Sequence, residues 1–101
     1  LQMPQSPSDC DHAWQSFVTV VGEDSPISRD QILKALKGRG IGARPGTHCV
    51  PSLEVYRRRF SEDPDRFPVS MMLQERSLAL PLHNRMNEGD YSYVVECLKS
   101  L

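Results

Sequence analysis

The chain has 101 residues, which is enough for one small domain with a single modest core. Hydrophobic residues make up 39% and charged residues 25%, a composition that is typical of a globular domain and excludes general disorder. Lys and Arg number 12 against 13 Asp and Glu, so the formal net charge of −1 gives no support for a nucleic-acid or anionic-membrane binder.

The N-terminal sequence and the cysteines indicate a cellular context. The chain opens on Leu1 without the features of a signal peptide, which suggests a piece of a longer protein. The cysteines are odd in number, widely spaced and without a Cys-x-x-Cys pair: Cys10, Cys49 and Cys97. This pattern favours free thiols in a reducing cytoplasm over a disulfide framework or a zinc knuckle. The histidines are also isolated from one another, so we expect no metal site.

The first predicted elements are a lead-in and a strand. Residues 1–11 are rich in Pro, Ser and Asp, which predicts an extended lead-in and not a folded element. The run 13–21 is rich in β-branched and aromatic residues, and a turn-forming segment ends it at Gly22, so it predicts a strand.

A helix over 28–38 has the clearest local signal. Ser28 is followed three residues later by Gln31, which is the spacing of a capping box, and apolar residues then recur at helical intervals. We expect Gly40 to supply a left-handed turn after this helix and Ile41 to fold back onto it.

The middle of the chain predicts four short elements. The segment 41–45 predicts a strand that Pro45 keeps short or at an edge. The run 52–60 fits a short helix, and Pro68 suits the first turn of a helix that ends near residue 76. The apolar run 77–81 predicts a buried strand.

The last predicted element is a helix over 88–101. Asn87 and Asp90 have capping-box spacing. We expect Trp14 and one face of this helix to be largely buried, the face being Tyr91, Val94, Val95 and Leu98. The element order predicts an α+β fold, with a small, mostly antiparallel sheet of about three strands and helices packed on one face.

Six segments, in this order along the chain, resemble the C-terminal part of the DegT/StrS family of pyridoxal-phosphate-dependent sugar aminotransferases. No single motif is decisive, but the ordered set is specific, and the likeness is to members of the perosamine-synthase type. The segments are His-Ala-Trp at 12–14, Arg-Asp-Gln-Ile-Leu at 29–33, Gly-Ile-Gly at 40–42, Arg-Pro-Gly-Thr-His at 44–48, Leu-Ala-Leu-Pro-Leu-His at 78–83 and Asp-Tyr at 90–91.

The resemblance implies the small domain of a fold-type-I aminotransferase over 12–101, with 1–11 as the link from an upstream large domain. In such enzymes the cofactor lysine and most phosphate ligands lie in the large domain, and no lysine here sits in a matching motif. Pyridoxal phosphate is therefore expected in the full-length parent, and no catalytic, cofactor-binding or metal-binding residue is expected in this chain. The implied parent is a cytoplasmic homodimer that aminates a keto nucleotide-sugar, with glutamate as the expected donor. The implied pathways are cell-surface polysaccharide, such as lipopolysaccharide, or secondary-metabolite sugar synthesis.

The resemblance also implies three substrate-binding residues. Arg44, Thr47 and His48 match a family segment near the cleft, whereas composition alone fits a surface turn equally well. The sequence departs from the family pattern directly after His48. The cluster at 57–59, three arginines, is favoured as a solvated helix face, with phosphate attraction as the alternative.

Two other functions stay open. The chain could be a non-catalytic interaction or regulatory module of the same fold, or the domain of a family sugar dehydratase, which residues upstream of Leu1 would decide. We also expect an apolar patch where the large domain or a partner subunit docks, at Val50, Leu53, Met71 and Met72.

Overall fold

A three-stranded antiparallel sheet forms the centre of the structure, a computed structural model that describes all 101 residues. β3 (Ser77–Leu80) is the middle strand, and β1 (Phe17–Val20) and β2 (Arg44–Pro45) pair with its two edges. Leu78 lies opposite Thr19 on one side and Pro45 on the other. The predicted α+β fold with a small antiparallel sheet is confirmed.

Four helices and two short turns of 3-10 helix complete the fold. The helices are α1 (Arg29–Gly38), α2 (Glu54–Phe60), α3 (Pro68–Arg76) and α4 (Glu88–Lys99), and the 3-10 turns are Val50–Ser52 and Pro64–Arg66. None of the helices is long and apolar enough to span a bilayer.

The hydrophobic core lies between one face of the sheet and the two helices α1 and α4. Leu36 of α1 and Leu78 of β3 are fully buried, and Val94 and Cys97 of α4 close the same cluster. Burying a side chain such as Leu78 stabilises the fold by about 1.5–3 kcal/mol. This cluster fixes both helices on the sheet.

The predicted start and end of α1 are confirmed. The Gln31 amide donates to Ser28 Oγ over 3.3 Å, and the Ser28 amide donates to Gln31 Oε1 over 2.7 Å, which completes the capping box. Gly40 has φ 75°, in the left-handed region that glycine tolerates. The chain then folds back, so that the Ile41 amide donates to the Leu36 carbonyl over 2.9 Å.

The predicted cap of α4 is confirmed, but most of its predicted buried face is wrong. Val94 is buried as predicted, whereas Val95 is 47% exposed and Tyr91 is also exposed. Leu98 is only half-buried, and the second buried position is Cys97. The physical reason is that α4 packs beside α1 along a narrow stripe formed by Val94 and Cys97, which lie three residues apart. The wider apolar face therefore extends into solvent.

The first strand is shorter than the predicted 13–21, and the prediction that Trp14 is buried is wrong. Trp14 is 39% exposed and has φ 48°, which turns the chain before β1 begins at Phe17. Its ring stacks on His12, with centroids 4.2 Å apart, and its amide donates to His12 Nδ1 over 2.8 Å. The β-rich composition of the run gave no sign of this turn.

The second strand is also shorter than predicted, because Ile41 belongs to the core and only Arg44–Pro45 pairs with β3. The third strand, α2 and α3 lie within two residues of their predicted bounds. The lead-in is not wholly separate from the fold. Gln2 exchanges two backbone hydrogen bonds with Val20, of 2.8 and 3.1 Å, at the outer edge of β1.

A single arginine joins the C-terminal ends of α1 and α4. Arg39 follows α1, and its guanidinium donates to the Cys97 carbonyl and to Ser100 Oγ, each over 2.6 Å. The Tyr93 hydroxyl donates in return to the Arg39 carbonyl over 3.1 Å. These contacts fix α4 lengthwise against α1.

We predict that Leu78→Ala lowers the free energy of unfolding by about 2–5 kcal/mol, because the side chain is fully buried between the sheet and the helices. Val95→Ala is the matched control, and it should cost less than about 0.5 kcal/mol since Val95 is exposed. Urea unfolding followed by circular dichroism measures both. Equal costs for the two variants would contradict this description of the core.

Candidate functional site

A groove crosses the end of the sheet where β3 finishes and where β1 and β2 begin. It consists of two hollows of about 310 and 270 Å³. The two hollows share Gly42, Pro81 and His83, so they form one continuous surface feature. We call the larger one the apolar hollow and the smaller one the polar hollow.

Four ligand-capable side chains meet in the polar hollow. Gln15 and Ser16 come directly before β1, Arg44 opens β2, and His83 follows β3. The antiparallel pairing brings these ends together, although the residues are far apart in sequence. The side chains of the first three make no hydrogen bond or ion pair within the chain, so their polar groups are free to meet a ligand.

A backbone hydrogen bond orients the His83 ring. The Arg85 amide donates to His83 Nδ1 over 3.2 Å, so the neutral ring carries its proton on Nε2. The Met86 amide donates to the His83 carbonyl over 3.1 Å, which closes the turn between β3 and α4. Nε2 therefore remains as a hydrogen-bond donor.

The apolar hollow has a hydrophobic floor and an occupied polar rim. Ile41, Met86 and Val94 line it, together with Asp90 and Tyr93. Asp90 accepts the Asn87 amide over 2.9 Å as part of the cap of α4. The neighbouring Cys97 thiol raises the pKa of Tyr93, and the Tyr93 hydroxyl already donates to the Arg39 carbonyl.

Of the three predicted substrate-binding residues, the structure brings one into this groove. Arg44, Thr47 and His48 are all exposed, but only Arg44 lines the polar hollow. Thr47 and His48 lie past Gly46, outside the groove. Sequence reasoning missed Gln15, Ser16 and His83 as neighbours of Arg44 in this hollow, because only the pairing of the strands brings them together.

The turn from Arg44 to His48 depends on a close approach at Gly46. A Cβ atom there would lie 2.6 Å from both Ser77 Oγ and Val18 Cγ1, which is closer than real Cβ contacts. The Gly46 amide donates to the Ser77 carbonyl over 3.1 Å. The absence of a side chain at Gly46 therefore lets the turn lie directly against the sheet.

Cys49 fixes the other end of the turn. It is fully buried, and its amide donates to Gln74 Oε1 of α3 over 2.8 Å. Because Gly46 and Cys49 are both held, the exposed His48 side chain projects from a backbone with two anchors. Cys49 and the other two cysteines are free thiols.

The arginine cluster at 57–59 carries the features of a solvated helix face. Arg58 forms an ion pair with Glu54 one turn earlier, and the Arg59 guanidinium lies 5.8 Å from the centre of the Phe60 ring. α2 has no buried residue. The local acids and the aromatic ring offset the field that would attract a phosphate.

Much of the chain's exposed apolar surface lies between residues 50 and 69. Seven of the fourteen exposed large hydrophobic residues fall in this segment, and we call them the 50–69 surface: Val50, Leu53, Val55, Tyr56, Phe60, Phe67 and Val69. Val50 and Leu53 were predicted to be exposed, whereas the predicted Met71 and Met72 are half-buried.

A profile of the DegT/DnrJ/EryC1/StrS aminotransferase family matches residues 1–99. The chain belongs to this family. The fold agrees with solved structures of Spr1654 from Streptococcus pneumoniae, a protein assigned as a sugar aminotransferase. The PMP form of that protein superposes with a TM-score of 0.76 at 25% identity, and the apo form with 0.74 at 24%. Each match covers 84% of this chain but only 21% of the solved chain, so the chain spans about a fifth of the length of those chains.

The residues of this family member do not themselves fit a pyridoxal phosphate group. All three lysines, Lys34, Lys37 and Lys99, are exposed on α1 and α4, and none lines either hollow. A cofactor lysine needs surroundings that hold the ring and a partner for its nitrogen. No group of three His, Cys, Asp or Glu side chains is placed to hold a metal ion.

We predict that Gly46→Ala destabilises the chain by about 1–3 kcal/mol, since the new methyl group would overlap Ser77 and Val18. Gly42→Ala is the matched control in the same segment. No atom lies within 4 Å of its added Cβ, so it should be neutral or stabilising by up to about 1 kcal/mol. Thermal unfolding of both variants is the measurement. A Gly46→Ala chain as stable as the parent would contradict the close approach.

Proposed function

We propose that this chain is the C-terminal small domain of a pyridoxal-phosphate-dependent aminotransferase that converts a keto nucleotide-sugar into an amino sugar. The observation that carries the proposal is the family match over residues 1–99. The chain also shares its fold with about one fifth of a protein assigned as a sugar aminotransferase. The proposal places residues 12–101 in the small domain and 1–11 in the link from the large domain. It places the parent in the cytoplasm, in cell-surface polysaccharide or secondary-metabolite sugar synthesis.

In this proposal the chemistry is divided between the domains. Pyridoxal phosphate, when bound, acts as an electron sink for the carbon that loses or gains the amino group. The large domain would supply the lysine and hold the ring, because the lysines of this chain are exposed. The small domain would close the cleft over the nucleotide-sugar and the amino donor, for which we propose glutamate.

Arg44, Thr47 and His48 would carry the substrate-side role. The two anchors at Gly46 and Cys49 support this role, because a side chain on a fixed backbone can be positioned without a large loss of entropy on binding. Arg44 offers a planar fork of donors that fits a carboxylate or a phosphate.

The 50–69 surface supports the proposal that further protein covers this domain. α2 buries none of its seven residues, and Phe60 and Val69 are 58% and 65% exposed. A helix of two turns is marginal in water unless an apolar face is packed. The proposed large domain or the partner subunit of a homodimer would supply that packing.

We predict that His48→Ala in the full-length parent lowers kcat/KM for the nucleotide-sugar about tenfold or more, the scale of one lost hydrogen bond to a charged group. The absorbance spectrum of the bound cofactor should not change, because His48 is placed on the substrate side of the cleft. His12→Ala is the control, since His12 stacks on Trp14 outside the turn. An unchanged kcat/KM for His48→Ala would remove His48 from the site.

We also predict that the 101-residue chain forms no stoichiometric adduct with pyridoxal phosphate. Its lysines are exposed on two helices, and none of them lines either hollow. Borohydride reduction after mixing, followed by mass spectrometry, is the measurement. A single adduct at Lys34, Lys37 or Lys99 with one equivalent of cofactor would overturn the assignment of the cofactor lysine to another domain.

A further inference from the structure

We propose that the polar hollow is an oxyanion-binding site, built by Arg44 and His83 with Gln15 and Ser16, for a phosphate or carboxylate group of a ligand. The proposal deepens the proposed function and depends on it only for the identity of the natural ligand. The site differs from the predicted one, because Thr47 and His48 do not line the hollow.

The side-chain hydrogen-bond donors in this hollow have no partner within the chain. Arg44 has no ion-pair partner, in contrast to Arg58 and Arg76, which pair with Glu54 and Glu23. Gln15 and Ser16 add an amide and a hydroxyl that form no side-chain hydrogen bond. These side chains are exposed and line one hollow, so their donors are available to an external group.

His83 contributes a donor of fixed identity. Its Nδ1 accepts the Arg85 amide, so Nε2–H is the atom left for the ligand. The turn that holds the ring follows directly from β3, so the ring is tied to the rigid part of the sheet. An arginine fork beside an imidazole N–H donor is suited to an oxyanion.

The charges around the hollow favour an anion here and not in the neighbouring one. The residues that line the polar hollow include one arginine and no acid. Asp90 lies in the apolar hollow, where its carboxylate accepts the Asn87 amide. A ligand with an anionic end and a less polar body would therefore place its anion at Arg44 and its body over Ile41 and Met86.

The test is titration of the ¹⁵N-labelled 101-residue chain with sodium pyrophosphate at constant ionic strength. We expect saturable shifts of the Arg44 Nε–H signal and of the Gly42 and His83 amides. Arg44→Gln should weaken binding at least about fivefold. The loss is expected to be smaller than at a buried site, because water screens an exposed charge. Arg44→Lys keeps the charge but loses the planar fork of donors, so its affinity should lie between those of the parent and of Arg44→Gln.

Arg59→Gln is the matched control, since Arg59 is an exposed arginine on α2, and it should change the affinity less than about twofold. Equal affinity of the Arg44→Gln and parent chains, or shifts centred on residues 57–59, would overturn the proposal. So would the absence of saturable shifts in a chain whose dispersed amide spectrum shows that it is folded.

A parallel titration with glutarate separates the two sources of the anion. Tighter binding of pyrophosphate would support a phosphate of the nucleotide-sugar, and tighter binding of glutarate would support a carboxylate of the amino donor. Both measurements use the chain alone, without turnover. A parent that fails to aminate sugars would therefore remove the proposed function and leave the oxyanion site standing.

Discussion

The position of β3 between two antiparallel partners is the constraint on which the rest of the structure depends. Three of its four residues have separate structural roles. Leu78 fills the core against α1 and α4, Ser77 receives the backbone of Gly46, and Leu80 leads into the turn that presents His83. Because β1 and β2 both take their register from this strand, a shift by one residue would reverse every side chain and dismantle the core and the groove together.

Features set by neighbouring residues could be predicted from the sequence, and features set by distant residues could not. The capping boxes at Ser28 and Asn87 and the left-handed Gly40 follow from spacings of a few residues, and all three are present. Which residues of α4 are buried depends on the position of α1 beside it. The apolar periodicity within α4 contains no information about that position. The exposure of Trp14 depends in the same way on a turn that the composition of the segment does not reveal.

The same distinction between neighbouring and distant residues applies to the candidate site. Arg44, Thr47 and His48 were predicted together because the family resemblance falls on one short segment that contains all three. The polar hollow instead collects residues from three separate segments at the ends of the three strands, so only the strand pairing joins Arg44 to Ser16 and His83. A resemblance along the sequence can indicate a family, but it cannot show which side chains share a hollow.

The contacts of Arg39 have an electrostatic consequence for the pair of helices. The last carbonyls of a helix carry a partial negative charge. Arg39 caps the C-terminal end of α1, and its guanidinium donates to the Cys97 carbonyl near the C-terminal end of α4. Two like poles brought together would repel each other, and the Arg39 cation, which follows α1 and binds the end of α4, offsets that repulsion. The side-by-side arrangement that creates the core thus depends on a positive charge at its rim, and a neutral residue of the same length would leave the two poles facing each other unscreened.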